Sequence, residues 1–261
     1  MIVGLGGRKE IAESWGFQWA ARAEGKFEIN TLYGITEEEE LNNFFDLLGI
    51  TPDDLRGRVI LDAGCGCGRL TKALGKYGAD VFGIEICTSI EYIYEYCKSN
   101  KNVNIMQADI LNLPFKKATF DYVWSKLAIC YVHESEQAFK NLSELVKPSG
   151  RLFVSVPPKT DVPFVNKLRD FLKITPKIPR QLLFYFSWCL APLLSLGKRI
   201  LKKHWTSLRT NAFFLFNAMQ PEFFTRHTDE EVIGWFKKER FCDITYVSGH
   251  KHVIPVRGTK K

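Results

Sequence analysis

The sequence lacks an apolar run long enough to cross a lipid bilayer. The most apolar stretch, residues 182–194, contains Pro192 and is shorter than the roughly 18 uninterrupted apolar residues of a membrane-spanning helix. No apolar secretory leader precedes the seven cysteines, an odd number that lies mostly in apolar or glycine-rich segments. We therefore expect a cytoplasmic protein whose thiols stay reduced.

The residue spacings of common metal centres are also missing. Cys65 and Cys67 form one C-x-C pair, without the second pair of ligands that a structural zinc site requires. His133-Glu134 is followed by glutamine at position 137, so the two-histidine helix of a metalloprotease is excluded. No metal is expected, and the two cysteines are interpreted as small residues that fill a tight loop.

Acidic residues are scarce in one part of the chain. The formal net charge is +7, yet residues 157–220 alone contain eleven Lys and Arg against two Asp. The remainder is slightly acidic, so the positive charge is local and indicates a surface for anions rather than a general affinity for polyanions. A nucleic acid is not the expected partner. The 261 residues, 46% of them hydrophobic, suffice for one large domain with an elaboration.

Short β-branched runs alternate with helical patterns from Arg58 onward, which is typical of an α/β fold with a parallel sheet. The predicted strands are 59–63, 80–85, 103–108, 120–125 and 151–156, and the predicted helices between them are 68–77, 89–99 and 134–146. Two further strands, 243–247 and 252–256, should pair antiparallel because only a short Ser248-Gly249 link separates them.

Capping patterns and prolines divide the rest of the chain. Thr36 with Glu39, and Thr228 with Glu231, have the spacing of capping boxes at helix starts. Residues 157–224 contain seven prolines, which predicts several short helices rather than one long element. We expect an N-terminal helical and aromatic segment (1–55), a core (56–157), an inserted basic and apolar helical cap (158–224), and the final helix and strands of the core (225–261).

The first predicted strand runs into a turn of alternating glycines before a helix. Glycines permit such a turn and let the backbone approach a ligand, while the helix N-terminus offers free N–H groups. A dinucleotide fingerprint would place its third glycine at position 69, which is arginine. The pattern Asp62-x-Gly64-x-Gly66-x-Gly68 instead resembles motif I of the class I S-adenosylmethionine-dependent methyltransferases.

Three later segments resemble further motifs of this family in the same order. Residues 106–115 are similar to its "gDaenLPF" stretch, residues 120–125 to motif IV, and residues 145–152 to the later "LKPGG" turn. The similarity is continuous over residues 56–157 and points to the type 11, ubiquinone- and menaquinone-methyltransferase-like branch that acts on small molecules. It implies a Rossmann-like, seven-stranded, mostly parallel sheet with a terminal antiparallel hairpin.

The resemblance also implies a cofactor, S-adenosylmethionine, with S-adenosylhomocysteine as product. Glu85 ends the second strand, where an acidic residue accepts hydrogen bonds from both ribose hydroxyls. Asp109 inherits the role of accepting from the adenine amino group, and Ile110 that of supplying a backbone N–H. The implied cofactor-binding residues are Asp62, Ala63, Gly64, Cys65, Gly66, Gly68, Glu85, Ile86, Asp109, Ile110, Ser125 and Lys126.

Methyl transfer needs an in-line approach in a dry pocket, and a dedicated base is optional. Many relatives end motif IV with a His-His pair, whereas this chain has Cys130 and Tyr131 there. Tyr131 and His133, in the loop after the fourth strand, are the catalytic candidates, since histidine titrates near neutrality. The alternative is that His133 is an ordinary surface histidine beside a helix.

The acceptor is expected to be a small molecule, anionic or lipid-like, held by the aromatic stretch 15–19 and the basic cap. The alternative, that stretch 15–19 packs on the core, is the preferred interpretation. The apolar cap helix is either a buried lid, the preferred interpretation, or an interfacial helix that makes peripheral membrane contact. Rival functions are a non-catalytic S-adenosylmethionine binder, an RNA or protein methyltransferase, and a nicotinamide oxidoreductase, which Arg69 disfavours.

Overall fold

The computed structural model describes residues 8–160, 178–200, 206–221, 224–249 and 252–261. Within them, seven strands form one sheet: β1 (Val59–Ala63), β2 (Asp80–Glu85), β3 (Val103–Gln107), β4 (Phe120–Lys126), β5 (Val146–Val156), β6 (Phe241–Tyr246) and β7 (Ile254–Lys260). Their spatial order is β3-β2-β1-β4-β5-β7-β6. Strands β1 to β5 are parallel, and β7 runs antiparallel to both β5 and β6. The predicted Rossmann-like α/β sheet with its antiparallel end is confirmed.

The helices of the described residues flank this sheet or cover one of its ends. They are α1 (Lys9–Ala23), α2 (Glu37–Leu48), α3 (Arg69–Leu74), α4 (Ile90–Cys97), α5 (Ser135–Leu145), α6 (Arg180–Ile200), α7 (Leu208–Met219) and α8 (Asp229–Lys238). Both predicted capping boxes are present, Thr36 with Glu39 before α2 and Thr228 with Glu231 before α8.

Several predicted boundaries need correction where pairing between strands outweighs the local pattern. Strand β5 begins at Val146 rather than at position 151, because Val146 pairs with Phe120 before a register shift. Strand β7 lies between two partners, and this pairing carries it to Lys260 instead of ending it at 256. The predicted helix 68–77 is an α-helix only to Leu74, followed by a 3-10 turn at Gly75–Tyr77.

The prediction of several short helices in the cap is wrong for residues 180–200. There α6 runs as one helix of 21 residues with Pro192 in its interior. Pro192 removes one backbone hydrogen bond, but it lies on the exposed side, while Leu183, Ser187 and Ala191 bury the opposite side. Packing along that side therefore outweighs the lost bond. Residues 161–177, 201–205 and 222–223 of the predicted cap, and residues 250–251 between the last two predicted strands, lie outside the described residues.

Three apolar clusters bury the faces of these elements. On one face of the sheet, Phe139 of α5 packs edge-to-face with Phe236 of α8 at 4.8 Å between ring centroids. On the other, Trp124 and Phe153 stack at 4.0 Å beneath α2. The third cluster joins α1, α6 and α7, and its rings include Phe27, which contacts Phe213 and Phe216. An aromatic layer thus fixes α1 to the cap helices.

The strand order reverses at the centre of the sheet, where β1 has β2 on one side and β4 on the other. In parallel α/β sheets the loops after two such strands diverge and leave a crevice at their carboxyl ends, where ligands bind. The glycine turn follows β1 directly, and Lys126 is the last residue of β4. The topology therefore places the glycine turn at the expected ligand crevice.

Candidate active site

An open cleft with about 1200 Å³ of empty space lies at the carboxyl ends of β1, β2 and β4. Nine of the implied cofactor residues line it: Asp62, Gly64, Cys65, Gly66, Glu85, Ile86, Asp109, Ile110 and Lys126. The other three are not part of this lining. Ala63 is fully buried in the core, Gly68 caps α3, and Ser125 is fully buried behind Lys126. The sequence thus identified most of the polar side of the cleft.

The glycine turn forms the floor of the cleft, and its glycine positions have no room for a side chain. Gly64, Gly66 and Gly68 all adopt positive φ angles, of 83°, 58° and 77°. A Cβ atom on Gly64 would overlap Ala128, and one on Gly66 would lie 3.0 Å from the Trp19 ring. Glycine is therefore required at positions 64 and 66, because Ala128 and Trp19 pack closely against the turn there.

Glu85 is held at the end of β2 by two backbone donors. One carboxylate oxygen accepts from the Gly66 N–H at 2.9 Å, and the other accepts from the Ile86 N–H at 2.9 Å. The side chain is buried, and burial raises the pKa of its carboxyl group. A buried carboxylate with fixed orientation is well suited to accept hydrogen bonds from paired hydroxyl groups.

Asp62 lies at the end of β1, below the glycine turn. Its carboxylate accepts from the Thr71 hydroxyl of α3 at 2.6 Å. Burial raises the pKa of Asp62 to about 7, and the hydrogen bond from Thr71 opposes that rise. The group therefore changes its charge near neutral pH.

Asp109 is joined to the N-terminal segment of the chain. One carboxylate oxygen lies 2.5 Å from the guanidinium of Arg8, the residue that precedes α1, and the other accepts from the Leu111 N–H at 2.9 Å. No sequence signal pointed to Arg8, which is an ordinary basic residue near the start of the chain. Its ion pair ties α1 across the cleft.

A second ion pair that the sequence analysis did not predict is the buried pair of Arg69 and Glu40. The Arg69 Nε–H donates to one carboxylate oxygen of Glu40 at 2.7 Å, and the Arg69 Nη2 atom lies 2.6 Å from that same oxygen. The third guanidinium nitrogen, Nη1, donates to the Ile35 carbonyl at 3.0 Å. Both side chains are buried and both line the cleft. Nearby, burial lowers the pKa of Lys126, opposed by the Glu40 carboxylate.

Aromatic side chains form the wall opposite the carboxylates. Trp15 meets Tyr131 edge-on at 4.7 Å between ring centroids and stacks with Trp19 at 6.1 Å. The Trp19 Nε1 atom is buried and has no hydrogen-bond partner within the described residues. Trp15 and Trp19 belong to the aromatic layer and also line the cleft. Stretch 15–19 therefore does both things that the sequence suggested: it packs on the core and it lines the cleft.

The two catalytic candidates occupy different positions. Tyr131 lines the cleft beside Trp15, whereas His133 is exposed and is not among the lining residues. A base must come within hydrogen-bond reach of the acceptor, directly or through one water. A base role for His133 stays a prediction that this geometry does not favour, and Tyr131 is the better placed of the two.

The fold and the glycine turn resemble those of the class I, S-adenosylmethionine-dependent methyltransferases. Residues 61–154, which carry the glycine turn and the carboxylates of Asp62, Glu85 and Asp109, match a protein family described as a methyltransferase domain. A search of solved structures finds the same architecture in magnesium protoporphyrin IX methyltransferase from Synechocystis PCC 6803, solved with bound SAH. That match has a TM-score of 0.59, 16% identity, and covers 97% of this chain and 98% of the other.

Among curated proteins, the chain is similar to a ubiquinone biosynthesis O-methyltransferase of Coxiella burnetii, with 34% identity over 103 residues, 39% of this chain and 44% of the relative. A malonyl-[acyl-carrier protein] O-methyltransferase of Pseudescherichia vulneris is 32% identical over 105 residues, 40% of this chain and 41% of the relative. The chain spans less than half the length of these curated relatives. The similarity to methyltransferases thus lies in part of the chain, and the match to the methyltransferase-domain family covers residues 61–154.

Proposed function

We propose that this chain transfers the methyl group of S-adenosylmethionine to a small, largely apolar acceptor. The observation that carries the proposal is that one cleft joins two unlike surfaces. Its floor holds the glycine turn with the carboxylates of Asp62, Glu85 and Asp109, and its wall holds Trp15 and Tyr131. A polar nucleoside with an amino-acid tail fits the first surface, and an apolar acceptor fits the second.

The residues of the floor fit S-adenosylmethionine group by group. The glycine turn would take the amino-acid end, and the fixed carboxylate of Glu85 would take the ribose hydroxyls. Asp109 and the backbone of Ile110 would take the adenine. When bound, the cofactor supplies an electrophilic methyl group on a positively charged sulfur.

The residues of the wall would hold the acceptor and exclude water. Indole and phenol rings contribute apolar surface, and the unpartnered Nε1 atom of Trp19 offers a hydrogen-bond donor. Excluding water lets positioning contribute most of the rate, since methyl transfer depends on an in-line approach. Tyr131 would orient the acceptor from the end of the wall.

The polar end of the acceptor is proposed to lie near Lys126. This side chain lines the cleft and forms no hydrogen bond or ion pair within the part of the chain that the structure describes. An amine in this position can donate to a carboxylate, phosphate or phenol oxygen. Two of the curated relatives are named O-methyltransferases, which makes an oxygen acceptor the first class to test.

The proposal is tested by calorimetry with S-adenosylhomocysteine and with NAD, followed by transfer of labelled methyl groups to a panel of phenols and carboxylic acids. We expect binding of the first ligand only, and transfer to one acceptor class. Gly64→Val should abolish both ligand binding and methyl transfer, because the valine side chain would overlap Ala128. Gly234→Val is the matched control, since a Cβ there meets no atom within 4 Å.

Each contrary result is informative. Binding of S-adenosylhomocysteine without transfer to any acceptor would favour the non-catalytic binder, and tighter binding of NAD would favour the oxidoreductase. Equal losses in the Gly64 and Gly234 variants would mean that the effect is on folding and not on the cleft.

We expect the affinity for S-adenosylmethionine to rise with pH. Burial raises the pKa of Asp62 to about 7, so below that pH the carboxyl group is mostly neutral and attracts the positive sulfonium less. The gain between about pH 6 and about pH 8 should approach about tenfold, the limit over this range for a single group whose pKa is about 7. S-adenosylhomocysteine, whose sulfur is uncharged, should show a smaller gain, and Asp62→Asn should remove the difference. Parallel pH profiles for the two ligands would contradict this role.

A further inference from the structure

Helix α6 presents a continuous apolar surface to solvent. Six of its large apolar side chains, Leu182, Tyr185, Phe186, Leu193, Leu196 and Ile200, are between 52% and 70% exposed. Leu182, Phe186, Leu193 and Ile200 are four or seven residues apart, and Tyr185 and Leu196 lie three residues from Leu182 and Leu193, so all six share one side of the helix, which we call the outer face. Monomeric proteins rarely expose contiguous apolar surface of this extent unless it contacts something.

The opposite side of α6 already has its partners inside the chain. Leu183, Ser187 and Ala191 are buried, and Phe184 packs edge-on against Phe17 and Phe27. The outer face is therefore not the core-facing side of a lid, and the preferred interpretation of α6 as a buried lid describes only half of the helix. The helix is apolar on both sides, and only one side is covered within the described residues.

The charges of α6 identify the kind of partner. The helix contains Arg180, Lys198 and Arg199 and no acidic residue, and residues 157–220 contain eleven Lys and Arg against two Asp. An apolar strip with basic residues is the pattern of a helix that lies in the headgroup region of an anionic bilayer. No described helix has the length and apolar character to cross the bilayer.

We propose that the outer face of α6 docks on an anionic lipid bilayer, with its apolar side chains at the boundary between headgroups and acyl chains. A second copy of the chain fits less well, because pairing two outer faces would bring exposed basic residues such as Arg199 together. Arg180, at the first turn of α6, lines a small pocket with Trp15 and Tyr131 beside the cleft. A membrane-dissolved acceptor would thus enter close to the bilayer, a consequence that rests on the proposed function.

The test is flotation of the full chain with vesicles of phosphatidylcholine alone, or with about 30% phosphatidylglycerol. We expect flotation only with the anionic vesicles, weakened by salt. The triple variant Leu182→Ser, Tyr185→Ser, Leu193→Ser should lower the partition coefficient at least about tenfold, because each side chain contributes apolar area to insertion. The matched control is Tyr92→Ser, Tyr94→Ser, Tyr246→Ser, which removes three rings that are 40% to 56% exposed elsewhere.

The control should float like the unchanged chain, and both triple variants should retain S-adenosylhomocysteine binding as a check on folding. Failure to float with either vesicle overturns the proposal even if the methyltransferase activity is present, and flotation without activity leaves it standing. Equal flotation with neutral vesicles overturns the role of charge. A dimer in light scattering that only the α6 variant dissociates assigns the outer face to a second copy instead.

Discussion

We expect Glu85→Ala to lower the affinity for S-adenosylhomocysteine at least about a hundredfold, because the proposed ribose site would lose two hydrogen bonds to a charged acceptor, which contribute about 1.5–3 kcal/mol each. The carboxylate is oriented in advance by the Gly66 and Ile86 N–H groups, so little ordering is needed when the ribose binds. Isothermal titration calorimetry measures the change directly.

Glu85→Gln separates charge from shape. It keeps one acceptor oxygen and the side-chain volume, so the loss should be smaller than for alanine. Glu91→Ala, an exposed carboxylate on the neighbouring helix α4, should leave binding unchanged. Full affinity in the alanine variant would mean that Glu85 only supports the glycine turn, and the assignment of the ribose subsite would be withdrawn.

The polar floor of the cleft was predictable because its signals are local. Strand β1, the glycine turn and α3 are consecutive in the chain. The turn requires positive φ angles at three positions, and glycine occupies each of them. Glu85 follows because it ends the next strand. Short-range patterns therefore sufficed to place these groups at one edge of the sheet.

The ion pairs around the floor were not predictable, because they join distant parts of the chain. Arg8 reaches Asp109 only once α1 lies across the cleft. Glu40 is one of four consecutive glutamates, and nothing in residues 37–40 distinguishes it until α2 packs beside α3. The sequence analysis used Arg69 only to exclude a dinucleotide-binding fingerprint, which requires glycine at that position. Long-range packing, which a single sequence does not record, selects these partners.

Helix α6 shows a different limit. Its sequence is apolar on nearly every side, and such a pattern predicts a buried helix without indicating which side another element covers. Pro192 predicted an interruption, but it falls on the exposed side, where a missing hydrogen bond is tolerated. The covered and uncovered sides could be told apart only from the packing of Phe17 and Phe27 against Phe184.

Arg69→Met should destabilise the protein by about 3–5 kcal/mol, because it leaves the buried carboxylate of Glu40 without its partner. The double variant Glu40→Leu, Arg69→Met removes both charges and keeps similar volumes, so most of the lost stability should return. Urea unfolding of the two single variants, Arg69→Met and Glu40→Leu, and of the double variant gives the free energies for a double-mutant cycle, and the pairwise coupling should approach the sum of the two single losses.

The exposed pair of Lys76 and Glu37, with 2.9 Å between its charged atoms, supplies the control on the same two segments of the chain. Lys76→Met should change stability by less than about 1 kcal/mol, since solvent screens that pair. If Arg69→Met were equally mild, water would have to reach Glu40, and the cleft beside it would be wetter than its burial indicates. If the double variant were as unstable as the single one, the methionine itself would be responsible, and the ion pair would not be what joins α2 to α3.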